Sequence, residues 1–184
     1  MMGTDIINKS LSGKKYEKYI SKFGKKEQVL LLPSIKPDVA LIHAARADKK
    51  GNIQLFGSKA ALDEQARASK TVIVSVEEIV DTELIEKESQ YTIIPNFLVD
   101  AVVELPYGAY PGGISGYYDF DESFMKYYWK KTRTNNFDKY LNKYVHGIES
   151  HWEYLDLIGI RRLLELRIDP YYRYSKNRGG EFCE

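Results

Sequence analysis

From Pro37 to Val80 the chain alternates short apolar runs with polar or alanine-rich stretches. Val39-Ala40-Leu41-Ile42 is apolar without alternation, which predicts a strand covered on both faces, as in parallel sheets. Asp48-Lys49-Lys50-Gly51-Asn52 predicts a turn, and Ile53 to Phe56 a second strand closed by Gly57-Ser58. Ser58 is a candidate N-cap for a helix over Lys59 to Ser69, where Ala60, Ala61, Leu62, Ala66 and Ala68 are small or strong helix formers. Thr71 to Val76 is β-branched and predicts the next strand. A strand, a helix of about eleven residues and a strand make the minimum crossover that parallel pairing needs.

Ile93 to Pro106 is a further apolar block, in which Pro95 marks an entry turn or an edge position. Tyr107 to Tyr118 carries four glycines and Pro111 and predicts a loop. From Asp121 the period becomes helical. Asn136 is placed to cap a helix carrying Phe137, Tyr140, Leu141, Tyr144 and Val145 on one face, closed by Gly147. Ser150-His151-Trp152-Glu153 has the form of a capping box, followed by an apolar helix that Pro170 stops. The expected fold is α/β: an open, largely parallel sheet with covering helices, and a tyrosine-rich helical layer over residues 121–184.

Length and charge narrow the picture. A chain of 184 residues suits a single domain and buries roughly two thirds of its unfolded surface. Lys and Arg number 27 against 26 Asp and Glu, so no field of one sign draws the protein to nucleic acid or a membrane. Locally the balance differs. Residues 1–26 hold seven lysines against Asp5 and Glu17, making 1–27 a basic segment, whereas residues 75–105 hold eight carboxylates against Lys87. Runs of this kind are mostly solvated faces; an anion-binding arm is the rival for the basic one, without any glycine-rich phosphate loop to support it. Cys183 is the only cysteine, which leaves no intrachain disulfide and no Cys-based zinc cluster. Apolar runs of four residues are far below a membrane span, and the N-terminus has no signal-peptide pattern. A soluble, cytoplasmic protein is expected. Twelve of the 15 tyrosines lie from Tyr107 onward. They suit a helical layer packed on the sheet, with an aromatic partner surface as the alternative.

Candidate chemistry is sparse. His43, His146 and His151 sit at no metal-ligand spacing, and there is no HExxH, GxSxG, P-loop or GxGxxG pattern. His43 ends an apolar strand and is expected to be a hydrogen-bonded structural histidine. Glu77 and Glu78 follow a strand; they are read as structural, with a helix N-terminus as one way to use them. Arg46, Asp48, Asn52 and Gln54 surround the turn at a strand end, where open α/β sheets bind ligands. Turn stabilisation competes there with contact to a ligand.

Several blocks in one order resemble a known family. They are PDVALIHAARADKKGN at Pro37 to Asn52, KTVIVSVEEIVD at Lys70 to Asp81, IPNFLVDAVVELPYGAYP at Ile94 to Pro111 and GYYDFD at Gly116 to Asp121, with Gly3-Thr4-Asp5 before them. Together they resemble the α subunit of the family I CoA-transferases, in the branch of the A-type subunit of glutaconate CoA-transferase. The resemblance is to the C-terminal portion of that subunit; the glycine-rich N-terminal part has no counterpart here.

That resemblance implies a subunit of an enzyme moving CoA between an acyl-CoA and a carboxylic acid. The family's nucleophile is a glutamate on the β subunit, so no catalytic residue is expected in this chain. Arg46, Asp48, Asn52 and Gln54 become candidates for the CoA or acyl pocket. No cofactor or metal is implied beyond acyl-CoA as substrate. The implied partners are a separately encoded N-terminal α piece and a β-type subunit, in an oligomer without nucleic acid or membrane. A related hydrolase opening cyclic keto-acyl-CoA thioesters, and a non-catalytic interaction module, are the alternatives.

Overall fold

The computed structural model describes residues 17–20, 26–29, 35–135, 137–171 and 174–175. The chain divides into two compact units, Met1–Lys36 and Pro37–Glu184. In the first, β1 (Glu17–Ile20) pairs antiparallel with β2 (Lys26–Val29), Glu17 opposite Val29 and Ile20 opposite Lys26. The rest of the basic segment 1–27, with Gly3-Thr4-Asp5, lies outside the described residues, as do Asn136 and Cys183.

The second unit is organised by a parallel ladder between β3 (Val39–Asp48) and β5 (Thr71–Val80), running from Val39 opposite Thr71 to Asp48 opposite Val80. With β4 (Ile53–Gln54), β6 (Thr92–Ile94) and β7 (Ala101–Glu104) they form one sheet in the order β6-β4-β3-β5-β7. The turn after Asp48 returns β4 antiparallel to β3, and β6 is antiparallel to β4; β5 and β7 are parallel to their neighbours. The sheet is therefore largely parallel and open.

Both central strands outrun their apolar cores. Arg46 and Asp48 stay in β3, and Glu77 and Glu78 stay in β5 instead of opening a helix. Each of these polar residues finds a partner at the strand ends, which removes the cost of placing it there. The second strand is shorter than Ile53 to Phe56, only Ile53 and Gln54 pairing with β3, and the Leu55 amide donates on the β6 side to the Tyr91 carbonyl at 3.1 Å. Helix α1 (Leu62–Ala68) starts later than a Ser58 cap would place it: Ala61 is the N-cap, and Ala60 has a positive φ of 46°. Ala66 is its buried contact. Helix α2 (Thr82–Lys87) follows β5 directly and buries Ile85.

The two faces of the β3–β5–β7 ladder differ. Ala40, Ile42, Ala44, Val72, Val74 and Val76 enter the core. On the other face Leu41 is 78% exposed, and Val39 and Val103 are about half exposed. Leu41, Ile73 and Ala101 form one row across the three strands. Apolar cover on both faces, expected from the run at Val39 to Ile42, is met on one face only among the described residues.

The helical layer comprises α3 (Glu122–Thr132), α4 (Phe137–Leu141) continued by a π-helical turn (Asn142–His146), α5 (His151–Ile158) and α6 (Ile160–Leu166). Asp121 caps α3, accepting from the Phe124 amide at 2.9 Å. Its carboxylate, fully buried, is also paired by Arg162 of α6, with Nη2 2.6 Å from Oδ1. Phe124 is fully buried among aromatic rings, with Tyr110 and Tyr144 centroids each 5.3 Å away. The tyrosines thus include a packed internal cluster. The wide π turn rotates the face of α4, so Tyr144 is buried while Val145, expected beside it, is exposed. Ser150 Oγ accepts from the Glu153 amide at 3.2 Å, and Glu153 Oε2 accepts from the Glu149 amide at 2.8 Å, a capping box displaced by one residue. The helix after it is two helices: Gly159, at φ 93°, breaks it long before Pro170.

Candidate functional site

The carboxyl ends of β3 and β5 gather the polar residues of the sheet. Arg46, 8% exposed, donates from Nε to Gln54 Oε1 at 2.9 Å and forms an ion pair with Glu88. Its guanidinium also lies 4.9 Å from the centre of the Phe56 ring. Gln54 is fully buried and donates from Nε2 to the carbonyls of Ile85 (3.0 Å) and Glu88 (2.9 Å). Asp48 holds the turn: Oδ1 accepts from the amides of Lys50 and Asn52, and Oδ2 from Asn52 Nδ2 at 2.9 Å. Burial pushes the Asp48 carboxyl up, but the hydrogen bonds from Asn52, with help from Thr82 and Lys50, outweigh it and hold the group below its usual value. Asn52 Oδ1 in turn accepts from the Asn96 amide at 3.2 Å. The four sequence-predicted residues therefore form two adjoining pairs, Arg46 with Gln54 and Asp48 with Asn52.

A second network lies a few residues back along the same strands. The β3–β5 register sets His43 beside Ser75, and His43 Nδ1 is 2.9 Å from Ser75 Oγ. His43 Nε2 is 2.7 Å from Glu77 Oε1, which also accepts from the Tyr118 hydroxyl at 2.7 Å. Glu77 Oε2 accepts from the Tyr107 amide at 2.7 Å, and Tyr118 Oη accepts from the Ala109 amide at 3.0 Å. A carboxylate only accepts, so His43 Nε2 carries the proton shared with Glu77. Burial, then the bond and charge of Glu77, push the Tyr118 phenol well above its ordinary value. Glu77 is 7% exposed, with three donors on its two oxygens. It fastens the 105–118 loop onto the sheet and presents no open oxygen for attack. His43 is thus hydrogen-bonded and structural, as expected from its place in the strand. Glu78 is exposed and accepts from the Tyr117 hydroxyl at 2.5 Å.

Beside these networks is a cavity of about 670 Å³ lined by Phe56, Gly57, Glu88, Tyr91, Ser115 and Gly116, with Ile168 and Pro170 closing it. Arg46 reaches it through its partners Phe56 and Glu88. Glu88, Tyr91 and Ser115 carried no signal in the sequence, since they come together only through tertiary folding. The His43–Ser75 pairing was within reach: aligning the two parallel strands at Val39 and Thr71 brings it out. Among the described residues no group of three His, Cys, Asp or Glu could hold a metal ion, and no helix is long and apolar enough to cross a membrane.

A family model described as coenzyme A transferase matches residues 1–105. The chain is 38% identical over 159 residues to the A-type subunit of glutaconate CoA-transferase from Acidaminococcus fermentans, covering 85% of this chain and 50% of that one. It is 35% identical to the A-type subunit of 3-oxoadipate CoA-transferase from Pseudomonas knackmussii, over 70% of this chain and 45% of that one. The crystal structure of the Acidaminococcus fermentans glutaconate coenzyme A-transferase superposes with a TM-score of 0.81 at 36% identity, over 88% of this chain and 51% of that one. The chain spans about half the length of these relatives.

Proposed function

The chain belongs to the coenzyme A transferase family, and we propose from that premise that it works as an A-type subunit of an enzyme moving CoA between an acyl-CoA and a carboxylic acid. The observation that carries the reading is the glutaconate CoA-transferase likeness over 88% of the chain. Relatives named for glutaconate and 3-oxoadipate make dicarboxylic acids the first acceptors to try. The nucleophile is assigned to a β-type partner, in keeping with the enclosed Glu77. That partner's glutamate would attack the thioester carbonyl, releasing CoA as thiolate and leaving an acyl anhydride. The CoA thiolate would then attack the glutamyl carbonyl of the anhydride, expelling the first carboxylate and leaving an enzyme–CoA thioester, which splits one difficult transfer into two. This chain's share is a wall of the substrate crevice at the ends of β3 and β5, held in shape by Arg46, Gln54, Asp48 and Asn52.

The exposed sheet face carrying Val39, Leu41 and Val103 supports a second part of the reading. A parallel sheet is normally covered on both faces. We assign the missing cover to the part of the A-type subunit that this chain does not span, supplied within the same complex.

The test is reconstitution with a β-type partner and the N-terminal segment of an A-type subunit, followed by incubation of acetyl-CoA with glutaconate or 3-oxoadipate. Transfer of CoA to the acid, dependent on all components, is the expected result. Free CoA released without an acceptor would replace the transferase reading with a thioester hydrolase. An assembled complex that does neither would leave an interaction module and overturn the proposal.

A further inference from the structure

The cavity beside Arg46 has a chemistry of its own, and we infer that it receives the adenine base of the CoA nucleotide. This rests on the reading of acyl-CoA as substrate. The cavity lies at the carboxyl ends of parallel strands, where Arg46 is in register with Glu78. Its volume of about 670 Å³ is that of a small-molecule site.

Its walls suit a flat, amino-bearing ring. Tyr91 and Phe56 meet at 81° with centroids 5.1 Å apart, making an aromatic corner, and Phe56 is backed by Tyr117 at 6.3 Å in a stacked arrangement. Among the described residues, Glu88 is the only carboxylate in the lining. One of its oxygens is paired with Arg46, and the other takes no partner among the described residues. The Tyr91 and Ser115 hydroxyls likewise take none among them. An acceptor carboxylate whose charge is balanced by Arg46 fits the exocyclic amine of adenine, and the two hydroxyls can serve its ring nitrogens. The pantetheine arm, a flexible chain without a flat ring, would leave the aromatic corner unused. Lys59 and Lys87, both exposed, lie within two residues of Gly57 and Glu88, on segments that line the cavity, and are available to the phosphates of the ribose that the base carries.

The test uses the 184-residue chain at low micromolar concentration, below that at which its open sheet face is expected to associate, with adenosine 3′,5′-bisphosphate, AMP and pantetheine as separate probes, read by saturation-transfer NMR and titration calorimetry. Both nucleotides are expected to bind with their adenine protons in contact, and pantetheine is expected not to compete. Ser115→Trp, which fills the cavity from an exposed position, and Tyr91→Leu, which removes the aromatic wall, should each weaken the nucleotides at least tenfold. Thermal unfolding identifies any variant that fails to fold, and the other then decides. Unchanged nucleotide binding in the folded variants, or equal competition by pantetheine, overturns the assignment. If reconstituted enzyme transfers CoA while Ser115→Trp binds nucleotide normally, the site is wrong and the functional reading stands. If adenine binds as described while no assembly acts on acyl-CoA, the site stands and the functional reading falls.

Discussion

His43 and Glu77 face each other across neighbouring parallel strands, with Nε2 2.7 Å from Oε1 and the pair screened from water. The same oxygen holds Tyr118, so one carboxylate joins β3, β5 and a loop 41 residues away. Glu77→Gln removes the charge that strengthens these bonds and sets one amide group against donors. A loss of about 2 kcal/mol is expected, in the range for hydrogen bonds to buried charged groups. Denaturant unfolding measures it. A change within about 0.5 kcal/mol, the ordinary size for a neutral surface substitution, would show that the carboxylate does not fasten the loop. In a reconstituted complex neither Glu77→Ala nor Glu78→Ala is expected to abolish an enzyme–CoA thioester; trapping that thioester on either residue would place the nucleophile in this chain.

Gly108 lets the same loop lie on the histidine. A Cβ there would stand 2.6 Å from His43 Cε1 and 2.8 Å from Nδ1. The ring is held at both nitrogens and has little room to give. Gly108→Ala is therefore expected to cost about 1–3 kcal/mol, the usual penalty of overpacking. Gly108→Ala combined with His43→Ala should recover part of that loss relative to His43→Ala alone; purely additive effects would place the clash elsewhere.

What was legible in the chain follows from the range of each interaction. The β3 and β5 runs, the Asp48–Asn52 turn and the Ser150 cap rest on neighbours within a few residues, and their residue types announce them. The extent of β3 through Ala-Ala-Arg-Ala-Asp was not announced, because alanines and a buried arginine become strand residues only when Gln54 and Glu88 meet them. Likewise Glu77 and Glu78, read as a possible helix start, remain in β5 because Tyr118 and Tyr117 come back over them. The turn residues Arg46, Asp48, Asn52 and Gln54 were found by their place at a strand end; the cavity beside them, built from separate segments of the chain, was not.

Asp121 sets a pH dependence. Burial raises its carboxyl, but Arg162, the Phe124 amide and Tyr110 together hold it below the ordinary aspartate value. Asp48 is lowered as well. With a lowered value in the folded state, the unfolded chain binds more protons in acid, so these groups stabilise the fold above the unfolded value of about 4. That contribution is lost as pH falls through the lower folded values. Asp121→Asn should flatten the fall in stability on the acid side of pH ~4 and lower stability at neutral pH, where it removes the buried carboxylate opposite the partly buried Arg162. Urea midpoints at a series of pH values test this; parallel curves for the two proteins would assign the acid sensitivity to other groups.

The open sheet face makes the final prediction. Leu41 is 78% exposed at one end of an aliphatic row that continues through Ile73 to Ala101, with Val39 and Val103 on the same face. Contiguous apolar surface of this kind drives association when its cover is absent. The purified 184-residue chain is therefore expected to form oligomers or aggregates at tens of micromolar, and to transfer no CoA alone. Leu41→Lys should shift light scattering toward the monomer, since the lysine must be desolvated in any apposed face. Its effect on folding stability should stay near ~0.5 kcal/mol, as for exposed positions generally. The same substitution should weaken assembly with the N-terminal segment of an A-type subunit, because both events use one face. A stable monomer of the unaltered chain would mean that the face needs no cover. Association that Leu41→Lys leaves unchanged would move the contact to another surface.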